Sequence, residues 1–186
     1  MAYASSDNFV GRPIVGYETA VCIMTEKAAL ALIAIQDKLD QERPNVRLKI
    51  FDAYRPLQAV ADFKAWATTE DEKMKSQYYP SLSKPELFKQ GYISQRSAHA
   101  RGSTLDLTLV TGDKVVQEFD MGTPFDYFDP RSHTQHEDIS EKAKENRQFL
   151  KKIMEDEGFE NYPYEWWHYT LKDEPFPETY FDFPVK

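Results

Sequence analysis

Ser97-Ala98-His99-Ala100-Arg101-Gly102-Ser103-Thr104-Leu105-Asp106-Leu107-Thr108-Leu109-Val110 holds the reading of both fold and chemistry. Thr104 to Val110 predicts a strand, half-buried and rich in β-prone residues. Asp106 stands in it between Leu105 and Leu107. A carboxylate in such a place needs a partner, because burying it alone is costly. A metal cation is one such partner. His99 lies before a glycine-containing turn that feeds the strand, so a loop ligand and a strand ligand can converge on one point.

Working outward, Thr111-Gly112-Asp113 predicts a turn into Lys114-Val115-Val116, giving a hairpin. Upstream, Thr25 caps a helix running to about Gln41, with Leu32, Ile35 and Leu39 on one face. Val46, Leu48 and Ile50 alternate with Arg47 and Lys49, which predicts a strand with one buried face, ended by Tyr54-Arg55-Pro56. Pro56 suits the first turn of a second helix with Val60 and Phe63 inward. Thr68 to Lys84 reads as a loop, and Pro85 to Gln90 as a short helix closed by Gly91. Asp120 to Asp138 is a long loop of the kind that often carries function. Ser140 caps a third long helix, with Ala143, Leu150, Ile153 and Met154 inward and Gly158 at its end. Tyr164 to Leu171 predicts the last strand, and the tail from Lys172 wraps the surface. The order of helices and antiparallel strands implies a single α+β domain over residues 1–186, a central antiparallel sheet packed against helices with the metal site at the sheet.

Composition narrows the function. The chain has 186 residues, 41% hydrophobic and 29% charged, an ordinary globular balance. Twelve Phe, 11 Tyr and 3 Trp exclude a disordered chain. With 31 acidic against 23 basic residues the net charge is -8, which disfavours nucleic acid as a partner. The one cysteine, Cys22, excludes an internal disulfide and a cysteine-based zinc cluster. The longest apolar run, Ala28 to Ile35, is eight residues where a membrane span needs about 20. The first residues show no secretory leader. Cytoplasm and periplasm both stay open, as does the oligomeric state.

Glu165-Trp166-Trp167-His168-Tyr169 supplies a second imidazole. His99, Asp106 and His168 together make two nitrogens and one oxygen, and three protein ligands with one open position is the layout of a catalytic zinc site. Glu165 is then free to act as general base on water at that position. Residues three apart on a regular strand point to opposite faces, so Glu165 and His168 can share a site only if the backbone between them is irregular or Glu165 precedes the regular pairing. Arg55, at a strand end, suits a developing oxyanion. Asp126, in the long loop, suits a cationic group of a substrate. Each has a plainer reading: His99 as a hydrogen-bonded core residue, Asp106 paired with a buried arginine, Arg55 capping carbonyls, Asp126 bonding its own loop, Trp166 and Trp167 as core mass. His133 and His136 form an H-x-x-H pair, read as part of a solvated loop rather than a second metal site. It is the conjunction that favours chemistry.

Ser97-x-His99-x-x-Gly102-x-x-x-Asp106 with Glu165-x-x-His168 resembles the zinc D-Ala-D-Ala peptidase family of D,D-carboxypeptidases and D-alanyl-D-alanine dipeptidases. Asp7-Asn8-Phe9, Tyr54-Arg55-Pro56, Asp120-Met121-Gly122, Arg131-Ser132-His133 and the ending Tyr180-Phe181-Asp182-Phe183-Pro184-Val185-Lys186 are similar to its dipeptidase branch, the vancomycin-resistance type, from about Tyr3 to the last residue. The resemblance implies zinc held by His99, Asp106 and His168. It implies Glu165 as catalytic base and Arg55 stabilising the tetrahedral intermediate. Tyr3, Ser97 and Asp126 fall where the family holds the substrate's amino terminus and nearby backbone. The expected substrate is a small zwitterionic D,D-dipeptide. The alternatives are a peptidoglycan D,D-carboxypeptidase and a non-catalytic zinc-binding module.

Overall fold

A computed structural model describes residues 1–112 and 116–186. Its regular elements are α1 (Glu26–Glu42), β1 (Val46–Asp52), α2 (Leu57–Ala67), α3 (Lys75–Tyr78), α4 (Lys84–Lys89), β2 (Thr104–Thr111), β3 (Gln117–Glu118), α5 (Glu141–Asp156), β4 (Phe159–Asn161) and β5 (His168–Leu171). The strands form one sheet in the order β1-β2-β5-β4, with β3 paired to the far end of β2, and every pairing is antiparallel. The α+β architecture is therefore as the sequence implies.

The face of β2 that bears Leu105, Leu107 and Leu109 packs on the apolar stripes of α1 and α5. These helices form where capping and spacing agree. Thr25 accepts the N–H of Ala28, Ser140 accepts that of Ala143, and Leu32, Ile35, Leu39, Leu150 and Met154 recur at helical spacing toward the sheet. Truncating a leucine in such a layer costs about 2–5 kcal/mol. A second, aromatic cluster built from Tyr3, Phe9, Phe63, Trp66 and Phe128 backs the other side of the molecule around α2.

Several expectations need correcting. β2 is buried on both faces, not one, because residues 120–138 fold over its second face and stack Phe125 on Phe51 at 4.4 Å. That segment is buried in part, at Met121, Thr123, Asp126, Phe128, Asp129, Ser132 and Thr134, while Gln135, Glu137 and Asp138 around His136 stay exposed. Arg147 of α5 lies fully buried beneath it and donates to the carbonyls of Met121, Arg131 and His133. It takes an inward position on α5 beside Asn146, while Ile153 is only half-buried. The partner of β2 after the turn is Gln117–Glu118; Asp113, Lys114 and Val115 lie outside the described residues. The stretch from Thr68 to Lys84 contains the helical turn α3, and α4 starts at Lys84. β5 starts at His168, not Tyr164, since Glu165 and its neighbours form a turn. The short β4 has no periodicity to read. The tail does wrap the surface: Phe181 N–H donates to Ala100, Phe183 stacks on Tyr54 at 4.4 Å, and Val185 bridges to Tyr17. No helix of the described residues is long and apolar enough to cross a membrane.

Candidate active site

Sheet register builds the centre of the site. Asp106 pairs directly with His168 on β5, and on its other side with Asp52 on β1. Paired residues of an antiparallel ladder share a face. Asp52 would share the helix-packed face with Leu48 and Ile50, but the register slips between Ile50 and Asp52. That bulge turns the Asp52 carboxylate to the face of Asp106.

His99 arrives from the 3₁₀ turn Ala98–Arg101, and its own N–H donates to Ser97 Oγ. Gly102 ends the turn at φ +81°, and its N–H returns to the His99 carbonyl. A Cβ there would be strained and would crowd Thr25 at 3.3 Å. His99 Nδ1 donates to the Ala53 carbonyl at 2.7 Å, which leaves the Nε2 lone pair free. Nε2 lies 3.3 Å from Asp106 Oδ2 and 3.4 Å from His168 Nδ1, and His168 Nδ1 lies 3.1 Å from Asp106 Oδ1. One ligand atom from each of the three residues thus falls within 4.8 Å of the other two. Asp106 Oδ1 is buried with no hydrogen-bond partner. An orphaned carboxylate oxygen beside the His168 ring, with His99 Nε2 close to its fellow oxygen, makes a donor set that a divalent cation would satisfy. Among the described residues no second group of this kind forms around His133 and His136; His133 packs on Tyr164 and bonds Tyr92.

Glu165 sits in the turn before β5, the irregular backbone expected between it and His168. Its Oε2 is 3.5 Å from His168 Nδ1. Asn161 fastens this turn by donating to the carbonyls of both Glu165 and His168. Arg55 donates from Nε to Asp52 at 2.8 Å and from Nη2 to Asp106 at 3.1 Å, under the rings of Tyr3 and Phe63. Asp126 accepts from Tyr3 Oη–H at 2.9 Å and holds φ +57°, the one non-glycine residue with positive φ among those described. Such backbone strain costs about 1–3 kcal/mol and persists where its surroundings enforce it. Sequence reasoning missed Asp52 and Tyr17, whose hydroxyl donates to Asp52 at 2.7 Å. An acid three residues before Arg55 was the available sign of the first; nothing local marks Tyr17.

Arg55, Tyr3, Asp126, Glu165 and the His99, Asp106 and His168 triad line a cavity of about 660 Å³, with Asp52 and Tyr17 behind Arg55. Burial raises the Glu165 carboxyl well above the usual carboxylate range; Asp106 and Asp126 add to the rise and Arg55 opposes it. Asp126 is raised by burial and then by Asp106, against Arg55 and the Tyr3 hydroxyl. Asp106 goes the other way. Burial alone would raise it, but His99 and His168 hold it below the usual range. Burial lowers His168, keeping its ring neutral and its lone pair available.

Two imidazoles and two carboxylates gathered in a buried site on an antiparallel sheet are groups that a metallopeptidase centre could use. The sequence comparisons name the family. Residues 1–186 match the peptidase M15 family, described as D-ala-D-ala dipeptidase, a metallopeptidase family, and the chain belongs to it. It is 45% identical to a D-alanyl-D-alanine dipeptidase of Enterococcus faecalis over 98% of this chain and 90% of that one. It is 42% identical to that of Enterococcus faecium over 99% and 90%, and 41% identical to that of Streptomyces coelicolor over 98% and 90%.

Proposed function

We propose that this chain is a zinc-dependent dipeptidase that hydrolyses D-alanyl-D-alanine to free D-alanine. The observation that carries the reading is the convergence of His99 Nε2, His168 Nδ1 and the unpartnered Asp106 Oδ1, with Glu165 beside them. The names of the relatives support the substrate. His99, Asp106 and His168 would hold the zinc, which when bound supplies Lewis acidity and a water acidified toward neutrality.

The chain's own residues do the rest. Glu165, fixed by the Asn161 clamp, takes the proton of the attacking water and returns it to the leaving amine. Its raised proton affinity suits a group that must both accept and give. Arg55, oriented by Asp52 and Tyr17, stabilises the negative charge that develops on the carbonyl oxygen. Asp126 and Tyr3 receive the substrate ammonium. Ser97 caps the turn that carries His99 and leaves its hydroxyl proton for the substrate backbone. Water attacks directly, so no covalent intermediate forms.

The amine end of the cavity favours a dipeptidase over a D,D-carboxypeptidase. Asp126 and Tyr3 are 3% and 1% exposed and bonded to each other, which suits recognition of a free amino group rather than of a longer chain. Incubation with D-Ala-D-Ala and with a pentapeptide stem tests this. Release of D-alanine from the dipeptide alone is expected; trimming of the stem with survival of the dipeptide would overturn the reading. A non-catalytic zinc module needs neither Glu165 nor Arg55.

A further inference from the structure

We propose that Arg96 binds the C-terminal carboxylate of the substrate, making the open end of the cavity a carboxylate subsite; this rests on the dipeptidase reading above. The lining of the cavity is uneven in exposure: Asp126 and Tyr3 are buried, whereas Ser94, Gln95 and Arg96 are exposed.

Three arginines line the cavity, and two are already engaged. Arg55 is held by Asp52 and Asp106. Arg101 grips Glu174 through Nε and Nη2 and bonds Tyr180 Oη through Nη1. Arg96 has no carboxylate within 4.0 Å among the described residues. Its guanidinium instead lies 3.7 Å from the centroid of the Tyr180 ring. Stacking of this kind fixes the plane of the guanidinium and leaves its N–H edge free. Ser94 Oγ accepts from the Arg96 N–H and donates to the Arg96 carbonyl, so the backbone that presents this side chain is tied down.

The position fits the chemistry. Arg96 precedes His99 by three residues, at most about 11 Å of chain. The carboxylate of a dipeptide lies one residue, about 4 Å, beyond the scissile bond. A planar guanidinium takes a carboxylate through two parallel hydrogen bonds. Asp106, Asp126, Glu160 and Glu165 make the rest of the cavity acidic. An anionic group is favoured in such a space where a cation meets it, and of the three arginines lining it Arg96 is the one without a carboxylate partner among the described residues.

The test is steady-state kinetics of the zinc-loaded enzyme and of Arg96→Gln, each with D-Ala-D-Ala and with its C-terminal amide, alongside zinc content. The substitution is expected to raise KM for the dipeptide about 10–100-fold, the worth of a charge-assisted hydrogen bond, with kcat within a few-fold and zinc unchanged. The unaltered enzyme is expected to penalise the amide by a similar factor in kcat/KM, and the variant to treat acid and amide nearly alike. An unchanged KM in the variant, or a variant that still discriminates fully against the amide, would remove the assignment while leaving the dipeptidase reading intact. Failure of the unaltered enzyme to cleave D-Ala-D-Ala would remove both.

Discussion

Asp106 and His168 face each other across the β2–β5 ladder, with Asp106 Oδ1 3.1 Å from His168 Nδ1. The sheet itself therefore holds two of the three proposed ligands in register, and only His99 depends on a turn. Asp106→Ala or His168→Ala is expected to abolish zinc retention through dialysis and D-alanine release together. Gly102→Ala, which strains the His99 turn, is expected to weaken zinc binding while leaving the folded far-UV signal in place. Zinc analysis after dialysis checks both.

Glu165→Gln keeps the shape of the side chain and removes the proposed base. Zinc content is expected to stay at one per chain while kcat falls about 10²–10⁴-fold or more. A variant that holds zinc and turns over at the original rate would take the proton transfer away from Glu165.

Arg55→Met removes the proposed oxyanion donor and also leaves Asp52 buried without its cation. kcat is expected to fall about 10²–10³-fold, and thermal stability to fall as well, since losing one partner of a buried pair costs about 3–5 kcal/mol. Arg55→Lys, which keeps the charge, is expected to recover most of the stability and little of the rate. Melting curves and turnover measured on the two variants separate the roles.

The raised Glu165 carboxyl has a consequence for the metal-free protein. Burial, Asp106 and Asp126 make the folded chain hold this proton more tightly than the unfolded chain does. The stabilisation is complete below the unfolded value of about 4.3 and is lost as pH rises through the folded one. Chelated Glu165→Gln cannot ionise there, so it is expected to melt above chelated wild type at pH 8 and to lose that advantage by pH 4. Each 1 kcal/mol moves a domain of this size by about 2–4 °C. An equal difference at both pH values would mean that the carboxyl does not titrate in this window.

Much of this was legible in residues whose local pattern coincides with their tertiary role. The alternation of β1, the capped stripes of α1 and α5, and Asp106 set between leucines all declared themselves, because a strand or helix that buries one face must repeat at its own period. The sharing of a site by Glu165 and His168 even foretold the turn between them. What stayed hidden depends on contacts distant in sequence. Asp52 faces the site only because a bulge, set by the pairing of β1 with β2, reverses its side. Arg147 looks like one more charge on a wet helix until residues 120–138 cover it. Tyr17 reaches Asp52 through the wrapping of both chain ends, which no periodicity encodes.

The most direct measurement is zinc bound per chain together with D-alanine released from D-Ala-D-Ala, before chelation, after it, and after zinc is restored. One zinc per chain, activity lost with the metal and regained on its return is the expected result. Full turnover in protein stripped of metal, or zinc that remains when both His99 and His168 are replaced, would contradict it.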